Sequence, residues 1–114
     1  MKNNTIVNID CLEGIKRLDS NSIDAIVTSP PYNLNIKYGK YNDKKPRDQY
    51  LGWLRDIFEE SKRILKDDGH LFINVGYSNV DPWVGMDVAQ SVRDIFVLQN
   101  NIAWVKSIHV NDKT

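Results

Sequence analysis

Short apolar runs divide the chain into strand-like segments separated by polar stretches. Residues 5–9, 23–28 and 71–75 are each too short for a helix and are rich in β-branched or aromatic residues, which predicts three strands. The run at 23–28 is nearly continuous, a pattern typical of a strand that is covered on both faces in a parallel sheet. Residues 101–108 predict a fourth strand.

Apolar residues recur at helical spacing in three further segments. Residues 12–18 predict a short helix, and residues 84–96 predict a longer one. The clearest pattern covers residues 48–66, with Asp48 as the N-terminal cap and Gly69 as the stop. The apolar face of this helix is formed by Leu51, Leu54, Phe58 and Leu65.

The order of these elements predicts an α/β fold with a largely parallel sheet in one domain, residues 1–114. Residues 29–47 show no sustained period, and three prolines and Gly39 interrupt any that begins. They predict a long loop between the second strand and the long helix. Loops of this length in compact domains are usually functional or disordered.

The composition is that of a soluble globular protein, with 41% hydrophobic and 26% charged residues of both signs. No apolar run approaches the ~20 residues of a membrane helix, and the first ten residues lack the pattern of a signal peptide. We therefore expect a cytoplasmic protein. Cys11 is the only cysteine, so no internal disulfide is expected. His70 and His109 lack the neighbours typical of a metal site, and no metal is predicted.

The charges are balanced overall but unevenly distributed. Fifteen basic and fifteen acidic residues cancel, which argues against binding of nucleic acid through overall charge. Residues 37–47 nevertheless hold five basic residues and a single acid, Asp43. This basic segment is a solvated surface loop or a contact for DNA phosphates. Its candidate DNA-binding residues are Lys37, Lys40, Lys44, Lys45 and Arg47.

The tetrapeptide Ser29-Pro30-Pro31-Tyr32 follows the predicted strand at 23–28, where ligands bind in open α/β sheets. A residue before proline is held extended, and proline itself has no N–H group. The Ser29 side chain and the carbonyls of Ser29 and Pro30 are therefore predicted to form a stiff set of acceptors beside the Tyr32 ring. Such a set suits an amino group on a flat ring, because the acceptors bind its hydrogens and the tyrosine stacks on the ring.

The segment TSPPYN resembles the catalytic motif, [DNS]-PP-[YF], of the DNA amino-methyltransferases. The resemblance extends over residues 5–107 and implies a partial Rossmann-like, S-adenosylmethionine-dependent methyltransferase fold. It implies methylation of the exocyclic amino group of a base flipped out of double-stranded DNA. Ser29, Pro30, Pro31 and Tyr32 would be the catalytic residues.

The resemblance is to the subgroup in which the catalytic motif precedes the cofactor motif. It implies that Asp10 contacts the adenosyl part of S-adenosylmethionine with Cys11 beside it. The F-x-G-x-G turn of the family is absent, and the family's strand order places two further strands between residues 5–9 and 23–28. We therefore expect the chain to be the catalytic half of an enzyme, inactive without a C-terminal half that carries this turn and the target-recognition region. A restriction endonuclease is a further candidate partner.

Several alternatives remain open from the sequence. Residues 29–32 could form a plain rigid turn or a polyproline ligand. Asp10 could cap the short helix, and Cys11 could serve in packing. Serine at position 29 favours N4-cytosine over N6-adenine as the target, because serine is commoner there among the N4-cytosine enzymes. Methylation of a protein glutamine and an inactive DNA- or partner-binding remnant are the other candidate functions.

Overall fold

The computed structural model describes residues 3–105, which form three helices, a parallel strand pair and a small hairpin. The elements in chain order are α1 (Cys11–Lys16), β1 (Ile23–Thr28), β2 (Lys37–Tyr38), β3 (Tyr41–Asn42), α2 (Arg47–Ile64), β4 (Leu65–Ile73) and α3 (Val84–Ser91). None of the helices in this part of the chain is long and apolar enough to cross a membrane.

Strands β1 and β4 pair in parallel and are connected through α2. Ile26 lies opposite Leu71, and Thr28 lies opposite Ile73. The backbone N–H of Asn74 donates to the Thr28 carbonyl at 2.9 Å, so the pairing continues one residue beyond β4. The carboxyl ends of both strands therefore lie side by side, which confirms the parallel arrangement predicted from the sequence.

The hydrophobic core lies between α2, α3 and one face of this sheet. Tyr50, Leu54 and Phe58 are spaced four residues apart on α2 and are fully buried. They contact Val84 and Val88 of α3. Leu71 and Ile73 of β4 pack against the same cluster. The apolar face predicted for the long helix is thus confirmed at Leu54 and Phe58.

The opposite face of the sheet is not covered by any of residues 3–105. Val27 of β1 and its neighbour Phe72 of β4 are 79% and 51% exposed. Successive side chains of a strand point to opposite faces, and α2 covers only the face that bears Leu71 and Ile73. The prediction that residues 23–28 are covered on both faces is therefore wrong for the described part of the chain.

Two predicted strands are not found among the described residues. Residues 5–9 have no strand structure, and the Ile6 side chain is fully exposed. A strand needs a neighbour that completes its backbone hydrogen bonds, and no described strand lies beside these residues. Residues 101–105 also have no strand structure, and the remainder of the predicted strand at 101–108 lies outside the described residues.

Several element boundaries differ from those predicted. The long helix begins after Pro46, with Asp48 in its first turn instead of at the cap. It ends at Ile64, and β4 starts at the next residue, Leu65, which has an extended backbone. Gly69 lies within β4 where the register is irregular, and a Cβ atom at this position would be 2.9 Å from the Lys66 carbonyl oxygen. Gly69 therefore accommodates the irregularity and does not terminate the helix.

The predicted loop and the last predicted helix also differ in detail. Residues 29–47 contain the β2–β3 hairpin, which reverses at Gly39 with a φ of 51°. Helix α3 ends at Ser91, and the following residues form turns in which Val92 donates to Ala89 and Phe96 to Val92. The segment predicted as one helix at 84–96 is thus a shorter helix followed by turns, and the apolar spacing of the helix continues into these turns.

Candidate active site

The Ser29-Pro30-Pro31-Tyr32 turn directly follows β1 at the carboxyl end of the parallel pair. This is the position predicted from the sequence. Ser29 is exposed, whereas the two prolines and Tyr32 are partly buried. Both X-Pro peptide bonds are trans, since no cis peptide occurs among residues 3–105. The turn is therefore accessible at Ser29 and held by the protein at its other end.

The carbonyl groups of Ser29, Pro30 and Pro31 differ in whether they accept a hydrogen bond. The Tyr50 hydroxyl, on the first turns of α2, donates a hydrogen bond to the Pro31 carbonyl. No donor among the described residues contacts the carbonyls of Ser29 or Pro30. Burial, followed by the neighbouring Tyr41 and Asp43, raises the pKa of Tyr50 well above its usual range. Tyr50 thus remains a protonated donor, and two carbonyls stay open.

The Tyr32 side chain is fixed by polar contacts and by close packing. Its hydroxyl lies 2.9 Å from Ser29 Oγ and accepts a hydrogen bond from Asn74 Nδ2 at 3.0 Å. The edge of its ring lies against Gly76. Asn74 and Gly76 follow β4, the neighbouring strand. The turn after one strand and the segment after the next strand therefore meet at the same edge of the sheet.

The chain after Tyr32 is organised by the buried carboxylate of Asp43, which is 3% exposed. The carboxylate accepts hydrogen bonds from the backbone N–H groups of Asn33 at 3.1 Å, Leu34 at 3.1 Å and Ile36 at 2.7 Å. Asn33, with a φ of 61°, also exchanges two side-chain hydrogen bonds with the backbone of Lys45, at 2.8 and 2.7 Å. Asp43 and Lys45, which follow β3, thus fix the chain where it leaves the Ser29–Tyr32 turn.

The five basic candidates divide into two groups. The Lys45 ammonium lies 4.5 Å from the ring centre of Tyr41 and 4.3 Å from that of Trp53. Arg47 forms ion pairs with Asp81 at 2.6 Å and Asp87 at 3.1 Å. The members of the other group are exposed and form no ion pair within residues 3–105. They are Lys37, Lys40 and Lys44.

A groove with a volume of about 650 Å³ is lined from Asn33 onward, directly after the Ser29–Tyr32 turn. One wall is the segment after Tyr32, a second wall includes Lys44 and Arg47, and a third is formed by residues 78–81. The Arg47–Asp81 ion pair joins two of these walls, and the Arg47 guanidinium lowers the pKa of Asp81 below its usual value. The Lys44 side chain lies at the groove and is exposed.

The two predicted cofactor residues lie at the start of α1. The Asp10 carboxylate accepts a hydrogen bond from the Glu13 N–H at 3.2 Å, so the capping alternative is confirmed. Cys11 is largely exposed. Desolvation of its thiol by the residues around it, followed by the Asp10 charge, raises the pKa of the thiol. No hydrogen bond or ion pair within the described part of the chain connects either residue to residues 29–32. Their role at a cofactor stays a prediction.

Sequence reasoning missed four residues that position the turn: Asp43, Tyr50, Asn74 and Gly76. Two of them follow β4 directly, so the rule that sites form at the ends of parallel strands could have identified them. Asp43 stood out in the sequence as the only acid within the basic segment, but its buried position was not predicted. No local signal distinguishes Tyr50 from other apolar positions of α2. No group of three metal-ligating side chains occurs among residues 3–105.

Several known proteins are similar to this chain in sequence. A sequence model of the N6/N4 family, described as DNA methylase, matches residues 23–114. The chain belongs to this DNA methylase family. The match includes the complete turn and the β1–α2–β4 unit, and it confirms the resemblance to the DNA amino-methyltransferases found from the sequence.

Individual members of the DNA methylase family are similar over most of the chain. The type II methyltransferase M.BglII of Bacillus subtilis is 34% identical over 96% of this chain and 32% of its own length. The type II methyltransferase M.MjaVI of Methanocaldococcus jannaschii is 35% identical over 88% of this chain and 53% of its own length. The DNA adenine methyltransferase YhdJ of Escherichia coli is 27% identical over 88% and 32%, respectively. The chain thus spans between a third and about half the length of these relatives.

Proposed function

We propose that this chain carries the catalytic turn of a DNA methyltransferase that transfers a methyl group from S-adenosylmethionine to the exocyclic amino group of a flipped base. The observation that carries the proposal is the division of carbonyl groups in the turn. The Pro31 carbonyl is bound by Tyr50, whereas those of Ser29 and Pro30 have no donor among the described residues. Two open acceptors on adjacent residues match the two hydrogens of one amino group.

The proposed chemistry depends on the geometry at the amino nitrogen. The lone pair of such a nitrogen is delocalised into the base and is a weak nucleophile. Acceptance of its hydrogens by the Ser29 and Pro30 carbonyls draws them out of the ring plane and favours a tetrahedral nitrogen. With the methyl donor bound, the lone pair would be free to accept its methyl group, with the carbon–sulfur electron pair leaving on sulfur and the proton lost by nitrogen passing to solvent water. The Tyr32 ring stacks on the base and keeps the nitrogen in place.

S-adenosylmethionine supplies the electrophilic methyl group when it is bound. Asp10 fits a contact with the adenosyl part, because only one of its carboxylate oxygens is used by the cap and the residue is exposed. Cys11, beside it, is also exposed, and its raised thiol pKa keeps it neutral at neutral pH. These two residues would contact the adenosyl part and would not take part in the transfer itself.

N4 of cytosine is the proposed target atom, because serine at position 29 is commoner in the cytosine enzymes that this chain resembles. N6 of adenine is the second candidate. It is favoured by the similarity to a relative whose name is DNA adenine methyltransferase, 27% identical over 88% of this chain. Both reactions would use the same turn, so the identity of the methylated nucleoside distinguishes them.

The contact surface for double-stranded DNA is proposed to include Lys37, Lys40 and Lys44. Their ammonium groups are exposed and form no ion pair within residues 3–105, which leaves them available for phosphates. Lys45 and Arg47 were predicted in the same role, but their charges already contact aromatic rings and carboxylates. We assign these two residues to the support of the loop.

The catalytic unit is proposed to be completed by a further segment, on the same polypeptide or on another chain, that builds the full Rossmann-like methyltransferase domain. This segment would carry the glycine-rich cofactor turn and the target-recognition region. The exposed sheet face with Val27 and Phe72 supports the proposal, as does the greater length of the relatives. A restriction endonuclease is proposed as a separate functional partner, since several relatives are named type II methyltransferases.

The test is methyl transfer from labelled S-adenosylmethionine to duplex DNA, with the chain alone and together with the completing segment. We expect label in N4-methylcytosine, or in N6-methyladenine for the second candidate, and only when the completing segment is present. Tyr32→Ala should abolish transfer. Tyr77→Ala is the matched control, because Tyr77 is 72% exposed. Label found only on protein would overturn the proposal.

A further inference from the structure

The segment that follows β4 lies against the catalytic turn. The Asn74 N–H donates to the Thr28 carbonyl at 2.9 Å, so the backbone of Asn74 is fixed one residue before Ser29 on the neighbouring strand. This bond places the Asn74 side chain beside the turn. Nothing proposed so far for the reaction uses Asn74 or Gly76, although both contact the residue that would stack on the base.

Asn74 closes a triangle of polar groups with Ser29 and Tyr32. Asn74 Nδ2 lies 3.0 Å from the Tyr32 hydroxyl and 3.5 Å from Ser29 Oγ, and those two oxygens are 2.9 Å apart. An amide nitrogen is only a donor, so the Tyr32 oxygen accepts from Asn74. When Ser29 donates its own hydrogen to the same oxygen, one lone pair of Ser29 Oγ faces Asn74 Nδ2 and the other is open. Ser29 Oγ is then a third acceptor beside the carbonyls of Ser29 and Pro30.

Gly76 supplies space for the Tyr32 ring. A Cβ atom at position 76 would lie 2.5 Å from Cε2 and 2.6 Å from Cδ2 of Tyr32, distances that real Cβ atoms do not adopt. Gly76 does not have a positive φ, whereas Gly39 does, so its backbone conformation does not require glycine. The close approach of the ring is the reason why a side chain is excluded at this position.

We propose that Asn74 and Gly76 are positioning residues that hold the Tyr32 ring in place. We call these two residues the seat of the ring. Asn74 fixes the hydroxyl end of the ring, and Gly76 allows its edge to approach the backbone. Together they set the plane on which a flipped base would stack and the direction in which Ser29 Oγ accepts. The catalytic meaning of this seat rests on the function proposed above, whereas the seat itself is a property of this chain alone.

The seat can be tested without any activity. In the chain labelled with 3-fluorotyrosine, five ¹⁹F resonances are expected, and Tyr32→Phe assigns the one from Tyr32. Gly76→Ala and Asn74→Ala should shift or broaden the Tyr32 resonance and leave that of Tyr38, far from both positions in sequence, unchanged. Resonances of Tyr32 that match the wild type in both variants would overturn the proposal.

Matched controls separate the seat from general effects of substitution. Gly52→Ala adds a Cβ atom on α2 with no heavy atom within 4 Å, and Asn79→Ala removes an exposed side chain close to the seat in sequence. Neither should move the Tyr32 resonance. A Tyr32 resonance that responds equally to Gly52→Ala would contradict a specific contact at Gly76.

The second measurement is methyl transfer by the completed enzyme. Misplacement of a reacting group by about 1 Å costs up to ~100-fold in rate, so Gly76→Ala should lower kcat by about 10- to 100-fold. The KM for DNA should change little, because the basic segment is untouched. A shifted Tyr32 resonance with unchanged kcat would overturn the positioning role. A wild-type enzyme that transfers no methyl group, with the resonance shifts still present, would instead refute the proposed function and leave the seat standing.

Discussion

The hydroxyl of Tyr50 donates a hydrogen bond to the carbonyl of Pro31, and this contact ties the long helix to the second proline of the Ser29–Tyr32 turn. Tyr50 is 1% exposed and also belongs to the hydrophobic core. Packing of α2 against α3 therefore determines where the turn is held. Because this donor is used at Pro31, it does not compete with a substrate for the carbonyls of Ser29 and Pro30.

Replacement of Tyr50 by phenylalanine should destabilise the protein and release the turn. The variant keeps the ring in the core but leaves the Pro31 carbonyl without its donor, which costs about 1–3 kcal/mol in the free energy of unfolding. Urea unfolding measures the loss. Tyr77→Phe is the control, since Tyr77 is 72% exposed and forms no hydrogen bond within residues 3–105. Equal stability of the two variants would show that the Tyr50 contact contributes nothing.

Replacement of Asp43 by asparagine should loosen the segment after Tyr32. The carboxylate accepts three backbone N–H groups, and an amide can accept with only one of its two terminal atoms. The expected loss is about 1.5–3 kcal/mol in the free energy of unfolding. Faster amide hydrogen exchange at Asn33, Leu34 and Ile36 is expected as well. Asp67→Asn, at an exposed position, should change neither quantity.

The Arg47–Asp81 ion pair should make stability depend on pH in the acidic range. Arg47, through its hydrogen bond and its charge, lowers the pKa of Asp81 in the folded protein. A carboxyl group with a lowered folded pKa contributes stability that is complete above its unfolded value, near 4. That contribution is lost as the pH falls through the folded pKa. Asp81→Asn should therefore be less stable than the wild type at neutral pH, and the difference should shrink below about pH 4.

Unfolding free energies at a series of pH values test this prediction. Asp68→Asn is the control, because Asp68 is exposed and forms no ion pair within the described residues. A gap between wild type and Asp81→Asn that stays constant down to the lowest pH would contradict the assignment to Asp81. The Arg55–Asp94 pair, with a lowered Asp94 pKa, should persist as an acid dependence in both proteins.

The three exposed lysines of the basic segment should control the salt dependence of DNA binding. Each phosphate contact that is lost lowers the slope of log K against log salt by about 0.9 for duplex DNA. Simultaneous Lys37→Ala, Lys40→Ala and Lys44→Ala should therefore weaken binding and flatten the slope. Fluorescence anisotropy at several salt concentrations measures both. The charge-matched control replaces Lys16, Lys62 and Lys66 by alanine, and an equal loss of slope there would argue against a specific DNA surface.

Local sequence patterns were sufficient where local physics decides the structure. The strand at Ile23–Thr28 was predicted with its observed bounds, and the helix at Arg47–Ile64 was predicted to within two residues at each end. The position of the SPPY turn at the end of a parallel strand was also correct. These features follow from side-chain periodicity and from the fixed conformation of proline, neither of which requires knowledge of distant residues.

Contacts between residues far apart in the chain decided the features that the sequence patterns did not predict. Residues 5–9 have strand-like composition but no strand structure, because a strand forms only beside a partner. The irregular start of β4 depends on the close approach of Gly69 to Asp24. Asp43 is buried only because Asn33, Leu34 and Ile36 direct their N–H groups to it.

The sequence by itself determined that this protein contains a rigid acceptor turn at the end of a parallel strand, and that the turn resembles the catalytic motif of the DNA amino-methyltransferases. Only the tertiary structure decided which acceptors are open and what supports the tyrosine. Tyr50 binds one carbonyl from α2, and Asn74 and Gly76 meet Tyr32 from the neighbouring strand. The physical reason is that hydrogen bonding and close packing at the turn join residues 19 to 44 positions apart in the chain, and periodicity carries no information at that range.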